Sequence, residues 1–203
     1  MSSLISMGQK AKEASYELGV ASPGQKNEAL TFMAEELIKA KEEIIKANEI
    51  DRQNAIKKGI TDALLDRLSL DDSRIEAMAQ GLLDIVKLQD PVGEVTNMWQ
   101  MPNGLQIGQK RVPIGVLGII YESRPNVTSD AAGLCLKSGN AVILRGASDA
   151  INSNKAVAKA LVAGIKRSGL PQECVQLLED TSRETAREMM RLNDYIDVLI
   201  PRG

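Results

Sequence analysis

Arginine residues follow the predicted strands in the second half of this 203-residue sequence. Arg124 comes after an apolar run at 114–121, Arg145 follows a run at 141–144, and Arg183 or Arg202 follows the later runs at 175–178 and 197–200. A planar guanidinium suits phosphate or carboxylate groups, which it binds through paired hydrogen bonds. The pattern favours an anion-binding site over the alternative that these side chains only cap or solvate their loops.

Asn126 lies directly after Arg124 and Pro125, before a predicted helix at 127–137. Asparagine at a helix start commonly caps it by accepting a hydrogen bond from the first turn. Its amide could instead donate to an oxyanion that develops during acyl chemistry. From the residues alone, capping is the preferred interpretation.

Composition excludes several kinds of catalytic and metal site. The sequence has no histidine, which removes Ser–His and Cys–His pairs and the commonest metal ligand. Cys135 and Cys174 alone are too few for a structural zinc site, and their apolar surroundings predict buried, reduced thiols. No G-x-G-x-x-G fingerprint follows the first predicted strand of the α/β part, so the usual dinucleotide motif is absent from the sequence.

The elements that must position these residues fall into three stretches. Residues 1–90 show apolar stripes with helical spacing, and one long helix is predicted to open near Ser22 and run through Ile44. Residues 91–112 predict a β-hairpin around Pro102, Asn103 and Gly104, because Asn and Gly both tolerate positive φ. Residues 113–203 alternate strands with helices, which predicts an α/β fold with an open parallel sheet. Ligands of such sheets bind beyond the carboxyl ends of the strands.

Charge and hydropathy limit the partners. The net charge of −2 and an aromatic content of 2% argue against nucleic-acid binding, which needs basic patches or stacking faces. The start of the sequence lacks an apolar signal core, and the longest apolar run, 114–121, is too short to span a membrane. A cytoplasmic location without membrane association is therefore expected.

Two linked stretches resemble a known family. They are VPIGVLG at 112–118 and YESRPNVTSDAAGLCLKSGNAVILRG at 121–146. Both resemble the aldehyde dehydrogenase superfamily and, within it, the gamma-glutamyl phosphate reductase family, also called glutamate-5-semialdehyde dehydrogenases. The resemblance extends to the helical front and to DVLIPRG at 197–203. It implies an aldehyde dehydrogenase-like cofactor-binding domain.

The resemblance also implies a reaction. Members of the family reduce gamma-glutamyl phosphate to glutamate-5-semialdehyde and phosphate with NADPH, in proline biosynthesis. A cysteine thiolate attacks the acyl phosphate, and hydride then reduces the thioester. By position, Asn126 matches the oxyanion-stabilising asparagine of the superfamily, which reverses the preference for capping.

The cofactor site follows from the same comparison. Arg145 matches the basic residue that meets the adenosine ribose, and Ser148 stands where many NAD-preferring relatives carry glutamate. A serine there would accept a 2′-phosphate that a carboxylate would repel, so NADP is expected. Arg124 could also meet the phosphate or carboxylate of the substrate. The cofactor-binding residues that the resemblance implies are Ser123, Arg124, Arg145, Gly146, Ser148, Arg202 and Gly203, and it implies no metal.

The sequence departs from the family in one respect. The catalytic cysteine of the family lies downstream, in a second α/β domain, and neither Cys135 nor Cys174 matches its context. Residues 1–203 are therefore expected to be an incomplete N-terminal NADP-binding domain that is inactive alone. The alternative is a catalytically inactive fragment that binds cofactor or mediates oligomerisation. A homo-oligomer, and coupling to glutamate 5-kinase, are expected for the complete enzyme.

Overall fold

The computed structural model describes residues 3–202. The helices are α1 (Ser3–Val20), α2 (Pro23–Lys39), α3 (Lys41–Lys57), α4 (Asp62–Leu68), α5 (Asp72–Lys87), α6 (Asn126–Lys137), α7 (Ile151–Arg167) and α8 (Arg183–Met189). The strands are β1 (Val95–Gln100), β2 (Gln106–Lys110), β3 (Val116–Tyr121), β4 (Ala141–Arg145), β5 (Val175–Leu177) and β6 (Val198–Arg202). Short 3₁₀ turns at Ser148–Ala150 and Gln172–Cys174 precede α7 and β5.

A parallel sheet with the order β5–β4–β3–β6 forms the centre of the fold. The central strands β3 and β4 are buried along most of their length, as expected for a sheet covered on both faces. This arrangement confirms the predicted α/β class with an open parallel sheet, a helical N-terminal segment and a β-hairpin.

The helical front packs directly on the sheet. One apolar core joins α2 and α5 to α6, α7 and one face of β3 and β4, with Leu30, Met33 and Leu82 fully enclosed. The other face is covered by α1 and α8, through Leu4, Ala11 and Met189 among others. The front helices therefore belong to the two layers that bury the sheet.

The long helix predicted through Ile44 is wrong, because the chain breaks at Ala40. This residue leaves the helical conformation at φ −85° and ψ 6°, ends α2 and directly precedes α3. Alanine is the strongest helix former, so the sequence contains no local signal for this break. The predicted start is confirmed, since Ser22 and Gln25 form a reciprocal capping box at the start of α2.

The helices α2 and α7 approach each other closely at Gly164. A Cβ at this position would lie 2.4 Å from the backbone nitrogen of Met33 and 2.5 Å from its Cα. Only glycine permits such backbone contact, because every other side chain would force the helices apart.

The predicted hairpin forms, with a different turn. Strands β1 and β2 pair antiparallel, and the Met101 amide donates to the Leu105 carbonyl at 2.8 Å. Gly104 has φ +87°, but Asn103 does not adopt positive φ, so the loop is longer than the two-residue turn that requires it at both positions. Met98 and Leu105 are 65% and 58% exposed.

Two predicted strand ends move. Strand β3 begins at Val116 because the amides of Ile114 and Gly115 donate instead to the Asn140 side chain, at 2.6 and 2.9 Å. Pro201 and Arg202, predicted to lie in a loop, belong to β6, because β6 stays paired with β3 as far as Tyr121 and Arg202. Within the described range, no helix is both long and apolar enough to cross a membrane.

Candidate functional site

The junction of β3 and β6 is the topological switch point of the sheet. From β3 the chain proceeds to β4 and β5 on one side, whereas β6 adds to the other side. Ligands of open parallel sheets bind outside the carboxyl ends of the strands at such a point. A cavity of about 170 Å³ lies there, lined by Tyr121, Glu122, Arg124, Val127 and Arg202.

A second cavity, of about 360 Å³, opens beside the first between α4, α5 and the start of α6. Its lining includes Arg67 and Arg74 from the front helices and Arg124, Asn126 and Asp130 from the sheet side. Arg124 lines both cavities, so it lies where the two spaces meet. Its guanidinium has no hydrogen-bond or ion-pair partner anywhere in residues 3–202.

The turn at 122–126, called here the α6 turn, presents Asn126 at the surface. Pro125 occupies the N-cap position. Asn126 is the first residue of α6, and its side chain is exposed. Its amide nitrogen donates to the Asp130 carboxylate one turn later, at 3.1 Å. No side-chain capping bond forms, so the capping interpretation of Asn126 is wrong.

Asp130 was not predicted as a site residue. Its burial raises the pKa of the carboxyl group, which the Asn126 hydrogen bond and the charge of Arg202 partly oppose. The signal in the sequence is its i, i+4 spacing from Asn126, which places both side chains on one helix face.

A buried polar network supports the α6 turn from below. Thr128 donates to Asn154 on α7 at 3.1 Å and shares a hydrogen bond of 2.7 Å with the Tyr121 hydroxyl. Burial raises the pKa of Tyr121 to about 12, so this hydroxyl stays protonated. The network fixes α6 to the end of β3, and thereby fixes the direction in which Asn126 leaves the sheet.

The turn at 146–150, called here the α7 turn, is closed by a residue from the front helices. Asp51 on α3 is 2% exposed and accepts from the backbone and side chain of both Asn152 and Ser153, at 2.6–3.3 Å. A carboxylate at a helix N-terminus satisfies its free N–H groups and complements the helix dipole. The N-terminus of α7 is therefore already occupied by the protein itself.

The structure brings Arg145 and Ser148 to the same end of β4. The Arg145 side chain is half-buried and donates through Nη2 to the Thr181 carbonyl at 2.7 Å, while its buried Nε has no partner within residues 3–202. Ser148 is exposed at the start of its 3₁₀ turn. Gly146 is buried, and a Cβ there would lie 2.2 Å from the Asn154 amide nitrogen, so this position has no room for a side chain.

The other predicted site residues are placed as follows. Ser123 is half-buried in the α6 turn, and Arg202 is exposed at the end of β6, on the first cavity. Gly203 lies outside the described residues. Ser123, Arg124, Asn126 and Arg202 thus gather near the switch point, while Arg145, Gly146 and Ser148 gather at the neighbouring strand.

A family model for the aldehyde dehydrogenase family matches residues 3–199. The chain belongs to the aldehyde dehydrogenase family. It is 71% identical over 203 residues to gamma-glutamyl phosphate reductase of Clostridium beijerinckii, covering all of this chain and 49% of that relative. The chain spans about half the length of the curated relatives it matches.

Solved structures agree with this assignment. The gamma-glutamyl phosphate reductase of Thermotoga maritima has a TM-score of 0.96 and 44% identity, covering 98% of this chain and 48% of that chain. The enzyme of the same name from Saccharomyces cerevisiae has a TM-score of 0.92 and 34% identity, covering 100% and 52%. An engineered glycolyl-CoA reductase with bound NADP⁺ shares the fold, with a TM-score of 0.66 and 16% identity over 98% of this chain and 42% of that chain.

The two cysteines of this aldehyde dehydrogenase family member are structural. Cys135 and Cys174 are buried free thiols, as predicted. Burial raises the pKa of each to about 12, and for Cys174 the charges of Glu17 and Glu173 act in the same direction. A thiol is nucleophilic only as the thiolate, so neither residue can attack a substrate near neutral pH.

Proposed function

We propose that this chain is the N-terminal part of a gamma-glutamyl phosphate reductase. The complete enzyme reduces gamma-glutamyl phosphate to glutamate-5-semialdehyde and phosphate with NADPH, in proline biosynthesis in the cytoplasm. The observation that carries the proposal is the 71% identity to a relative of that name over all 203 residues. The exposed Asn126 and the unpaired Arg124 at the switch point support it, because they suit an acyl phosphate.

Asn126 supplies the oxyanion contact in this proposal. Its Nδ2 carries two hydrogens, and only one of them is needed for the bond to Asp130. The second is free to donate to the carbonyl oxygen of the acyl group, where negative charge develops during attack and reduction. The Asp130 bond holds the amide in one orientation, so the donor is positioned before the substrate arrives.

The residues near β4 fit the adenosine end of NADPH. Arg145 offers an unpaired buried donor, Ser148 offers an exposed hydroxyl, and the only nearby carboxylate in this turn, Asp149, is paired with Lys58 at 2.7 Å. A 2′-phosphate in this turn would therefore meet donors, and the nearest other carboxylate, Asp180, is already offset by the charge of Arg145 and by hydrogen bonds from Ser182 and Thr185. Bound NADPH would supply the hydride for reduction.

The nucleophile of the proposed reaction comes from outside these residues. Because both cysteines of the chain are buried with raised pKa, the thiolate that attacks the acyl phosphate and expels phosphate belongs to another part of the enzyme. The chain alone is then expected to bind substrate and cofactor without turnover.

The direct test is the reverse reaction of the full-length enzyme. Phosphate-dependent reduction of NADP⁺ with glutamate-5-semialdehyde is expected, and the isolated 203-residue chain should show none. Turnover by the isolated chain would contradict the placement of the nucleophile. Failure of the full-length enzyme to require phosphate would contradict the proposed acyl phosphate chemistry.

The choice between NADP and NAD has its own test. A carboxylate introduced by Ser148→Glu should repel the 2′-phosphate and lower the ratio of kcat/KM for NADPH to that for NADH by at least tenfold. The matched control is Ser73→Glu, because Ser73 is an exposed serine on α5. The ratio of kcat/KM for NADPH to that for NADH should not change in this control. A wild-type enzyme that prefers NADH would overturn the proposal for Ser148.

The hairpin supports assembly into a homo-oligomer. Trp99 is 44% exposed, and Met98 and Leu105 are exposed further, although apolar groups of this size normally avoid water. We propose that β1 and β2 pack on another part of the complete enzyme or on a second copy. The exposed apolar side chains of the hairpin also support the alternative proposal, in which the chain only mediates oligomerisation. Coupling to glutamate 5-kinase stays a prediction.

A further inference from the structure

The second cavity, next to Asn126, is lined by side chains of both charges, and the reaction at the acyl group does not account for all of them. Arginine side chains approach it from two directions, Arg67 from α4 and Arg124 from the α6 turn. The Asp130 carboxylate lies on its sheet side. A volume of about 360 Å³ is within the range of small-molecule sites.

The charged groups differ in how far the protein already uses them. Arg74 pairs with Asp66 at 2.7 Å and donates to the Ser69 carbonyl at 2.8 Å. Arg67 and Arg124 have no side-chain partner within residues 3–202, and Asp130 has only the Asn126 amide. The cavity therefore keeps two free cations and one carboxylate with remaining acceptor capacity.

The wall that carries Arg67 is held in place by a buried amide. Asn48 is 1% exposed, donates to the Leu68 carbonyl at 2.8 Å and accepts from the Leu70 amide at 2.8 Å. These two bonds fix the end of α4 and the start of the following loop. Arg67 thus projects from a fixed backbone, which reduces the entropy that a ligand contact would cost.

A zwitterionic ligand matches this arrangement. Resting on the proposed function, we infer that the cavity binds the α-amino acid end of the glutamyl substrate. Asp130 receives the α-ammonium group and Arg67 receives the α-carboxylate. Asn126 and Asp130 are one helical turn apart, and the Asn126 amide nitrogen lies 3.1 Å from one Asp130 oxygen. The second amide hydrogen and the other carboxylate oxygen can therefore contact the two ends of one short carbon chain. The acyl carbon then lies at Asn126 while the amino acid end lies at Asp130.

A competing interpretation assigns Asp130 a positioning role only. In that case its carboxylate orients the Asn126 amide, and its loss would slow the reaction of every aldehyde equally. The two interpretations differ in whether the effect depends on the α-ammonium group of the substrate.

Three aldehydes separate these interpretations in the reverse reaction of the full-length enzyme. Glutamate-5-semialdehyde carries both charged groups, glutarate semialdehyde lacks the ammonium, and pentanal lacks both. For each aldehyde the kcat/KM of a variant is divided by that of the wild type, so any fraction of aldehyde that cyclises cancels. The variants are Asp130→Asn and Arg67→Gln, and Asp84→Asn is the control, since Asp84 pairs with Lys87 on α5 outside the cavity.

The side-chain oxygen introduced by Asp130→Asn can still accept from the Asn126 amide, whereas the negative charge is lost. Asp130→Asn should therefore lower kcat/KM about 10- to 100-fold for glutamate-5-semialdehyde and less than threefold for the other two aldehydes. Arg67→Gln, at an exposed and unpaired position, should lower kcat/KM for both carboxylate-bearing aldehydes and spare pentanal. Asp84→Asn should change none of the three. Melting temperatures of all variants should stay within a few degrees of the wild type.

Equal losses with all three aldehydes for Asp130→Asn would overturn the inference in favour of the positioning role. An unchanged kcat/KM for Arg67→Gln with glutamate-5-semialdehyde would overturn the assignment of the carboxylate. A wild-type enzyme that turns over none of the aldehydes with phosphate and NADP⁺ would overturn the proposed function itself, and this inference with it.

Discussion

The α6 turn and the α7 turn follow the neighbouring strands β3 and β4, yet the polar groups around them are used differently. Asp51 closes the helix N-terminus at the α7 turn. Arg145, at the end of β4 just before this turn, donates through Nη2 to the Thr181 carbonyl, while its Nε has no partner within residues 3–202. In the α6 turn, Arg124 has no side-chain partner within residues 3–202 and Asn126 makes one exposed contact. A polar residue at the ligand edge of a sheet is thus a strong functional candidate where the fold does not already require it.

The largest expected difference between the two turns is the loss of protein stability when the carboxylate near each turn is removed. Asp51→Ala removes four hydrogen bonds at a buried helix start and should lower the free energy of unfolding by about 3 kcal/mol. Asp130→Ala should cost less than about 1 kcal/mol, because its one contact is exposed. Urea unfolding of both variants measures the difference, and equal losses would break the contrast between the turns.

Two glycines sharpen the same contrast. Gly146→Ala in the α7 turn would drive a methyl group into Asn154, which should destabilise the protein by about 1–3 kcal/mol. Gly81 on α5 faces Asp130, and a Cβ there would meet only Asp130 Oδ1 at 3.9 Å. Gly81→Ala should therefore be neutral or stabilising by up to about 1 kcal/mol. Thermal melts test both, and a stable Gly146→Ala variant would show that this turn is looser than the structure indicates.

The two buried thiols, which belong to neither turn, should affect stability only at high pH. Folding raises the pKa of Cys135 and Cys174 from 9.0 to about 12, so the stability they contribute is complete below pH 9 and is lost as the pH rises toward 12. Each thiol should add about 1.4 kcal/mol per pH unit to that loss. Cys135→Ala should reduce the slope of unfolding free energy against pH by this amount. An unchanged slope, or rapid alkylation of the native thiols at pH 8, would contradict their burial.

Much of the fold could be predicted from the sequence because its signals are local. Helical stripes and apolar runs marked nearly every element, and Asp71, a residue type favoured at helix starts, caps α5 by accepting from the Arg74 amide. The break at Ala40 has no local signal, since alanine continues a helix readily. The start of β3 at Val116 depends on Asn140, which binds the Ile114 amide from 26 residues away in the sequence.

The candidate site was predictable only in part, because some of its contacts join residues that are far apart in the sequence. Arg124 and Asn126 share one turn, so their proximity could be inferred from the order of strand and helix. The closing of the α7 turn depends on Asp51, which is 102 residues from Ser153 in the sequence. Arg67 and Asp130 line one cavity because α5, which closely follows α4 in the chain, packs against α6, and no spacing in the sequence encodes that contact.

The claim that the α6 turn carries the chemistry is tested most directly by Asn126→Ala in the full-length enzyme. Loss of one oxyanion donor should lower kcat for phosphate-dependent oxidation of glutamate-5-semialdehyde about 10²- to 10³-fold, with an unchanged melting temperature. The exposed Asn54→Ala on α3 is the matched control and should keep the wild-type kcat. A kcat of Asn126→Ala within twofold of the wild type would contradict the assignment of the α6 turn as the catalytic region.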